Sequence, residues 1–163
     1  MISIIRLKNI VFEDFVNYKE PSMFLITCFC DWKCCIEQGL DISICQNQPI
    51  AKDPNIEYEI SKLIDLYLKN DITKSIVFGG LEPILQFNEL YSFIEEFRRV
   101  CDDTVVIYTG YKKEEIADKI FQLQNFKNII IKFGRFIPNQ DSHFDPILGV
   151  NLASNNQYAQ KIS

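Results

Sequence analysis

Three short runs rich in β-branched and aromatic residues, 75–78 (SIVF), 104–108 (TVVIY) and 128–132 (NIIIK), recur along the chain with helix-patterned stretches between them. Continuous apolar runs of this length suit strands buried on both faces. Between them, residues 88–101 carry Leu90, Tyr91, Ile94, Phe97 and Val100 at helical spacing, and residues 112–123 repeat the pattern with Ile116, Ile120 and Leu123. Upstream, residues 23–28 (MFLITC) read as a further strand, and residues 57–69 as a helix with Ile60, Leu63, Ile64, Tyr67 and Leu68 on one face. Parallel strands need crossovers and helices that cover them, so the alternation predicts an α/β fold with a largely parallel sheet. No repeat or linker interrupts it, and residues 1–163 read as one domain, long enough to bury its own core.

Active sites on such sheets gather at the carboxyl ends of the strands. Cys30, Gly79, Gly80, Thr109 and Gly110 all follow predicted strands, so they are expected on one rim. The start of the chain becomes charged at Arg6 and Lys8, too early for a signal peptide, and no later run approaches the ~20 apolar residues that span a bilayer. The expectation is a cytoplasmic protein without a membrane partner. A net charge of −5 argues against direct, sequence-independent nucleic-acid binding, which depends on Lys and Arg neutralising phosphates.

In a reducing compartment, clustered cysteines are better read as metal-binding or catalytic than as disulfides. Five of the six cysteines fall between positions 28 and 45. Thiolates are soft ligands that suit an iron–sulfur cluster or zinc, and a closed zinc site with Cys28 or Cys35 as a further ligand is an alternative on this segment alone. Cys28 at a strand end and Cys101 at a helix end read as core residues. His143 is the one histidine, in a segment that reads as a solvated loop, so a Ser-His-Asp or Cys-His arrangement has little to build on. Glu95-Glu96 and Lys112-Lys113 read as solvated helix faces, and Trp32 as a shield for a cluster.

Cys30-x3-Cys34, with Ile44-Cys45-Gln46-Asn47 further on, resembles the cysteine motif of the radical S-adenosylmethionine superfamily. That motif spaces its cysteines by three and then two residues, whereas the second gap here is ten residues, and Cys35 competes with Cys45 as the third ligand. Gly79-Gly80-Leu81-Glu82-Pro83 is similar to the Gly-Gly-Glu-Pro segment of that superfamily, with Leu81 as an extra residue. Tyr108-Thr109-Gly110-Tyr111, Lys132-Phe133-Gly134-Arg135-Phe136 and Leu152-Ala153-Ser154-Asn155-Asn156-Gln157 together resemble the activating proteins of anaerobic ribonucleotide reductases, in order and interval. Phe133 stands where an Asp is often found in that family.

The resemblance implies a partial (βα) barrel of the radical SAM type. It implies a 4Fe–4S cluster on Cys30, Cys34 and Cys45, and S-adenosylmethionine held by Gly79, Gly80 and Glu82, with Thr109 and Gly110 lining the adenosyl side. The implied reaction is reductive cleavage of that cofactor to a 5′-deoxyadenosyl radical, which makes a glycyl radical on a large partner enzyme, an anaerobic ribonucleotide reductase. A flavodoxin or ferredoxin would supply electrons. No side chain is needed as a general base, so none is assigned as catalytic. The alternatives are a radical enzyme acting on another protein or peptide, and a non-catalytic zinc-binding module.

Overall fold

The computed structural model describes residues Met1–Ser163. Two strands that the periodicity does not announce open the chain, β1 (Ile4–Leu7) and β2 (Asn9–Asp14), followed by β3 (Ser22–Ile26). The cysteine loop comes next, with the single-turn helix α1 (Lys33–Ile36) and 3₁₀ turns at Ile42–Ile44 and Gln48–Lys52. Then come β4 (Ile56–Glu59), α2 (Ile60–Lys69), β5 (Ser75–Gly79), α3 (Phe87–Arg98), β6 (Thr104–Tyr108), α4 (Ala117–Leu123) and β7 (Ile129–Phe133). Three short strands close the chain, β8 (His143–Asp145), β9 (Val150–Leu152) and β10 (Tyr158–Lys161). No helix is long and apolar enough to cross a membrane.

The main sheet is mixed, in the order β10-β7-β6-β5-β3-β2. Its four inner strands, β3, β5, β6 and β7, are parallel, and the two outer strands pair antiparallel to them. Register keeps the carboxyl ends level: Ile26 lies opposite Gly79, Phe78 opposite Ile107, and Tyr108 opposite Lys132.

Period-two alternation sorts the inner strands onto two cores. Ile76, Phe78, Val105, Ile107, Ile129 and Ile131 face the layer of α2, α3 and α4, where Phe93 and Phe97 are fully buried and Phe78 meets Phe93 edge-on at 5.3 Å. Each such phenyl group contributes roughly 1.5–3 kcal/mol by leaving water. Val77, Val106 and Ile130 face the other way, onto Tyr18, Leu148, Leu152 and Ala159 from the loop after β2 and the C-terminal segment.

Some elements differ from their sequence patterns. The helix expected over 57–69 begins at Ile60, because Ile56–Glu59 pair with β1 and the Ile60 amide donates to the Ser3 carbonyl. Val100 lies beyond the end of α3 and is exposed, while Phe93 takes a place on the buried face. The helix expected over 112–123 starts as a 3₁₀ turn, Lys113–Ile116, before α4. His143 is not on a solvated loop: it is half-buried in β8, with its Nδ1 buried and without a hydrogen-bond partner.

Candidate functional site

Because the inner strands are parallel and level, the segments that follow them meet at one edge of the sheet. There the cysteine loop covers a cavity of about 570 Å³. Cys30, Cys34, Cys45, Gly79, Gly80, Glu82, Thr109 and Gly110 all line it. Residues far apart in sequence are thus brought together as the rim argument expects. The volume lies within the range of small-molecule sites, ~300–1,000 Å³.

The loop is shaped by local rules. Trp32 takes a left-handed backbone (φ 59°) just before α1, and Gly39 (φ 65°) ends that turn, where the Leu40 amide donates back to the Cys35 carbonyl at 3.0 Å. Asp41 caps the next turn by accepting the Ser43 amide at 2.8 Å. The loop is tied to the sheet by the Glu82 amide donating to the Phe29 carbonyl at 2.7 Å, and by Gln38 donating to the carbonyls of Cys34 (2.7 Å) and Phe136 (3.0 Å). The Tyr111 hydroxyl also donates a hydrogen bond to the Asp31 carboxylate.

All six cysteines are free thiols, with Cys30, Cys34 and Cys45 half-buried and Cys28 and Cys35 buried. Cys28 is thus in the core, as expected, and Cys101 packs half-buried against it. Burial pushes the Cys30 thiol up to about 12, with the Trp32 amide, 3.4 Å from its sulfur, pulling the other way. Burial also raises Cys34 and Cys35, in the case of Cys34 against the opposing pull of the Phe136 backbone, Lys132 and Arg135. Burial thus favours the neutral thiols, and a metal binding to such groups displaces their protons.

No three Cys, His, Asp or Glu side chains converge closely enough to hold one metal ion. A closed zinc site needs four ligands converging on a single point at about 2.3 Å for sulfur. A cluster of several irons instead takes its cysteines at separate corners, which suits thiols spread over the wall of one cavity. Four soft thiol donors, Cys30, Cys34, Cys35 and Cys45, on the wall of one cavity are the donor type an iron–sulfur cluster takes. Both candidates for the third position, Cys35 and Cys45, line the cavity.

Glu82 is 6% exposed and already engaged. Its Oε1 accepts the Thr109 hydroxyl (2.8 Å) and the Ile84 amide (3.0 Å), and its Oε2 accepts the Gly110 amide (2.9 Å). Three of roughly four acceptor sites on a carboxylate are used, which leaves about one free on a residue that lines the cavity. Gly80 has a positive φ of 85°, and a Cβ there would come within 2.5 Å of the Ile26 side chain, so the rim needs glycine at this position.

Sequence reasoning missed Lys132. Its ammonium is buried at the end of β7, lines the cavity, and has one hydrogen-bond partner, the Gly134 carbonyl at 3.1 Å. Burial lowers it to about 8, while the neighbouring Cys34 and Glu82 pull it upward. The available signal was a lysine closing an otherwise apolar strand, since strands buried on both faces rarely carry an unpaired charge. Arg135 was also missed. It is 5% exposed and joins Glu37 to Glu115.

The model of the 4Fe-4S single cluster domain family matches residues 22–158, which include the cysteine loop and every strand that borders the cavity. No curated protein and no solved structure matches the chain.

Proposed function

The chain belongs to the 4Fe-4S single cluster domain family, and on that premise we propose that it is a radical S-adenosylmethionine enzyme that generates a glycyl radical on a partner protein. The observation that carries this reading is the single cavity on which the cysteines face Gly79, Gly80, Glu82, Thr109, Gly110 and Lys132. On this reading β3, β5, β6 and β7 are the wall of a partial barrel.

Cys30, Cys34 and Cys45 would hold the cluster, which when bound and reduced would supply the single electron for reductive cleavage of the sulfonium carbon–sulfur bond of S-adenosylmethionine, to methionine and a 5′-deoxyadenosyl radical. The protein's own task is to bind, orient and keep water out. The buried Lys132 ammonium has unused donors for the ligand's carboxylate, and the free acceptor site of Glu82 faces its ammonium. Gly79 and Gly80 let the ligand approach the backbone, and Trp32, Leu40, Ile44 and Phe136 supply an apolar wall that limits solvent access. The partner that suits the resemblance is an anaerobic ribonucleotide reductase, with a flavodoxin or ferredoxin as electron donor.

The test is anaerobic reconstitution with iron and sulfide, followed by dithionite and S-adenosylmethionine. Iron–sulfur absorption and release of 5′-deoxyadenosine are expected. Adding the candidate reductase should then produce a glycyl-radical resonance. A reconstituted cluster with no 5′-deoxyadenosine overturns the radical reading, and cofactor cleavage without a protein radical overturns the partner.

A further inference from the structure

Arg135 follows β7, and its guanidinium grips three separate segments. Nη1 donates to the Gly110 carbonyl (3.0 Å) and to Glu115 Oε2 (2.7 Å). Nη2 donates to Glu115 Oε1 (2.7 Å) and Glu37 Oε1 (2.9 Å), and Nε lies 2.6 Å from Glu37 Oε2. Glu37 directly follows α1, the turn that carries Cys34. Gly110 packs against the same cysteine, since a Cβ on it would come within 3.2 Å of the Cys34 sulfur. One side chain thus holds both the loop that bears Cys34 and the backbone that faces it.

Charge balance indicates what the second carboxylate is for. A buried guanidinium needs a paired anion, and Glu115 alone provides one in the two-pronged geometry that suits it. Glu37 is not needed for neutrality, and its side chain is 48% exposed, so losing its charge leaves the guanidinium paired with Glu115 and costs folding little. What it adds is a fixed position for the end of α1. Gln38, the next residue, bridges the same seam from the Cys34 carbonyl to Phe136.

We propose that Arg135 and Glu37 form a latch that positions Cys34 for cluster binding. The inference rests on the reading of Cys34 as a cluster ligand. Both are positioning residues that act through the loop.

The experiment compares the reconstituted wild-type protein with Glu37→Gln, Arg135→Lys and the double variant. It follows iron release to a chelator, the electron paramagnetic resonance spectrum of the reduced cluster, and melting of the apoprotein. Partners that orient metal ligands typically matter by 10–100-fold, so iron release from Glu37→Gln should be on the order of tenfold faster, with an altered spectrum and an unchanged apoprotein melting temperature. The double variant should be no faster than Arg135→Lys, because both changes break one interaction. Glu59→Gln, which removes a surface pair with Lys62 at 3.0 Å, should release iron at the wild-type rate. An intact cluster with wild-type release and spectrum in Glu37→Gln overturns the latch and leaves the cluster reading standing. A wild-type protein that takes up no 4Fe–4S cluster overturns both.

Discussion

The Thr109 hydroxyl donates to Glu82 Oε1 at 2.8 Å, joining the end of β6 to the segment that follows β5 beneath the cavity. The resemblance implies a separate ligand-facing role for each residue; in the fold the two are hydrogen-bond partners. Thr109 is itself 2% exposed, and its Oγ1 accepts the Tyr111 amide at 3.0 Å. The hydroxyl is therefore a relay between the rim turn and a buried carboxylate.

Thr109→Val removes the donor while keeping shape. A buried acceptor that loses a partner costs about 1–3 kcal/mol, so urea denaturation of the apoprotein should show a loss of that order, with Thr109→Ser close to wild type. A loss within the ~0.5 kcal/mol typical of neutral surface changes would show that the bond adds nothing.

Burial pushes the Glu82 carboxyl from its ordinary 4.5 up to about 7, against the pull of the Gly110, Ile84 and Thr109 donors. Between those values the folded protein keeps a proton that the unfolded chain has lost. Stability from this group is then full below 4.5 and is lost as pH rises through about 7. Glu115 has the opposite sign. The Arg135 guanidinium holds its carboxyl down at about 2, so its contribution is present above 4.5 and is lost as pH falls towards 2. Melting temperatures of the apoprotein should decline between pH 4.5 and about 7 in the wild type and lose that decline in Glu82→Gln. An identical slope in both proteins would assign the effect to another group.

Cys30→Ala, Cys34→Ala and Cys45→Ala should each abolish the 4Fe–4S absorption and cofactor cleavage, whereas Cys28→Ala and Cys101→Ala should keep both. Iron and sulfide analysis after reconstitution is the readout. A full cluster in Cys45→Ala, and none in Cys35→Ala, would transfer the third ligand to Cys35, which lines the same cavity.

Lys132→Met trades a buried ammonium with one partner for an apolar chain of similar length. Relieving that desolvation should stabilise the apoprotein by on the order of 1 kcal/mol, as replacing buried charge by packed apolar groups often does. The same change should weaken S-adenosylmethionine binding at least tenfold, roughly 1.4 kcal/mol, measured by calorimetry on the cluster-loaded protein. Destabilisation with unchanged binding would make Lys132 a structural residue.

The strand–helix alternation was legible because it depends only on local period: β6 spans Thr104–Tyr108 as its apolar run indicates, and β5 and β7 lie within a residue or two of theirs. The edges of the fold were not. β1, β8, β9 and β10 are only three or four residues long, β2 is mostly exposed, and all five owe their existence to the neighbours they pair with.

The sequence by itself determined the chemical inventory: clustered thiols after one strand, paired glycines after the next and a Thr-Gly turn after the third. Parallel order then requires these to share an edge. Tertiary structure alone decided how they are held. Glu82 faces Thr109 because β5 and β6 lie side by side, Lys132 becomes a cavity residue because β7 ends level with them, and Arg135 reaches Glu37 across 98 positions. Such partnerships leave no trace in local period or composition. They depend on which segments a sheet places within about 3 Å of one another, and that distance is set by packing.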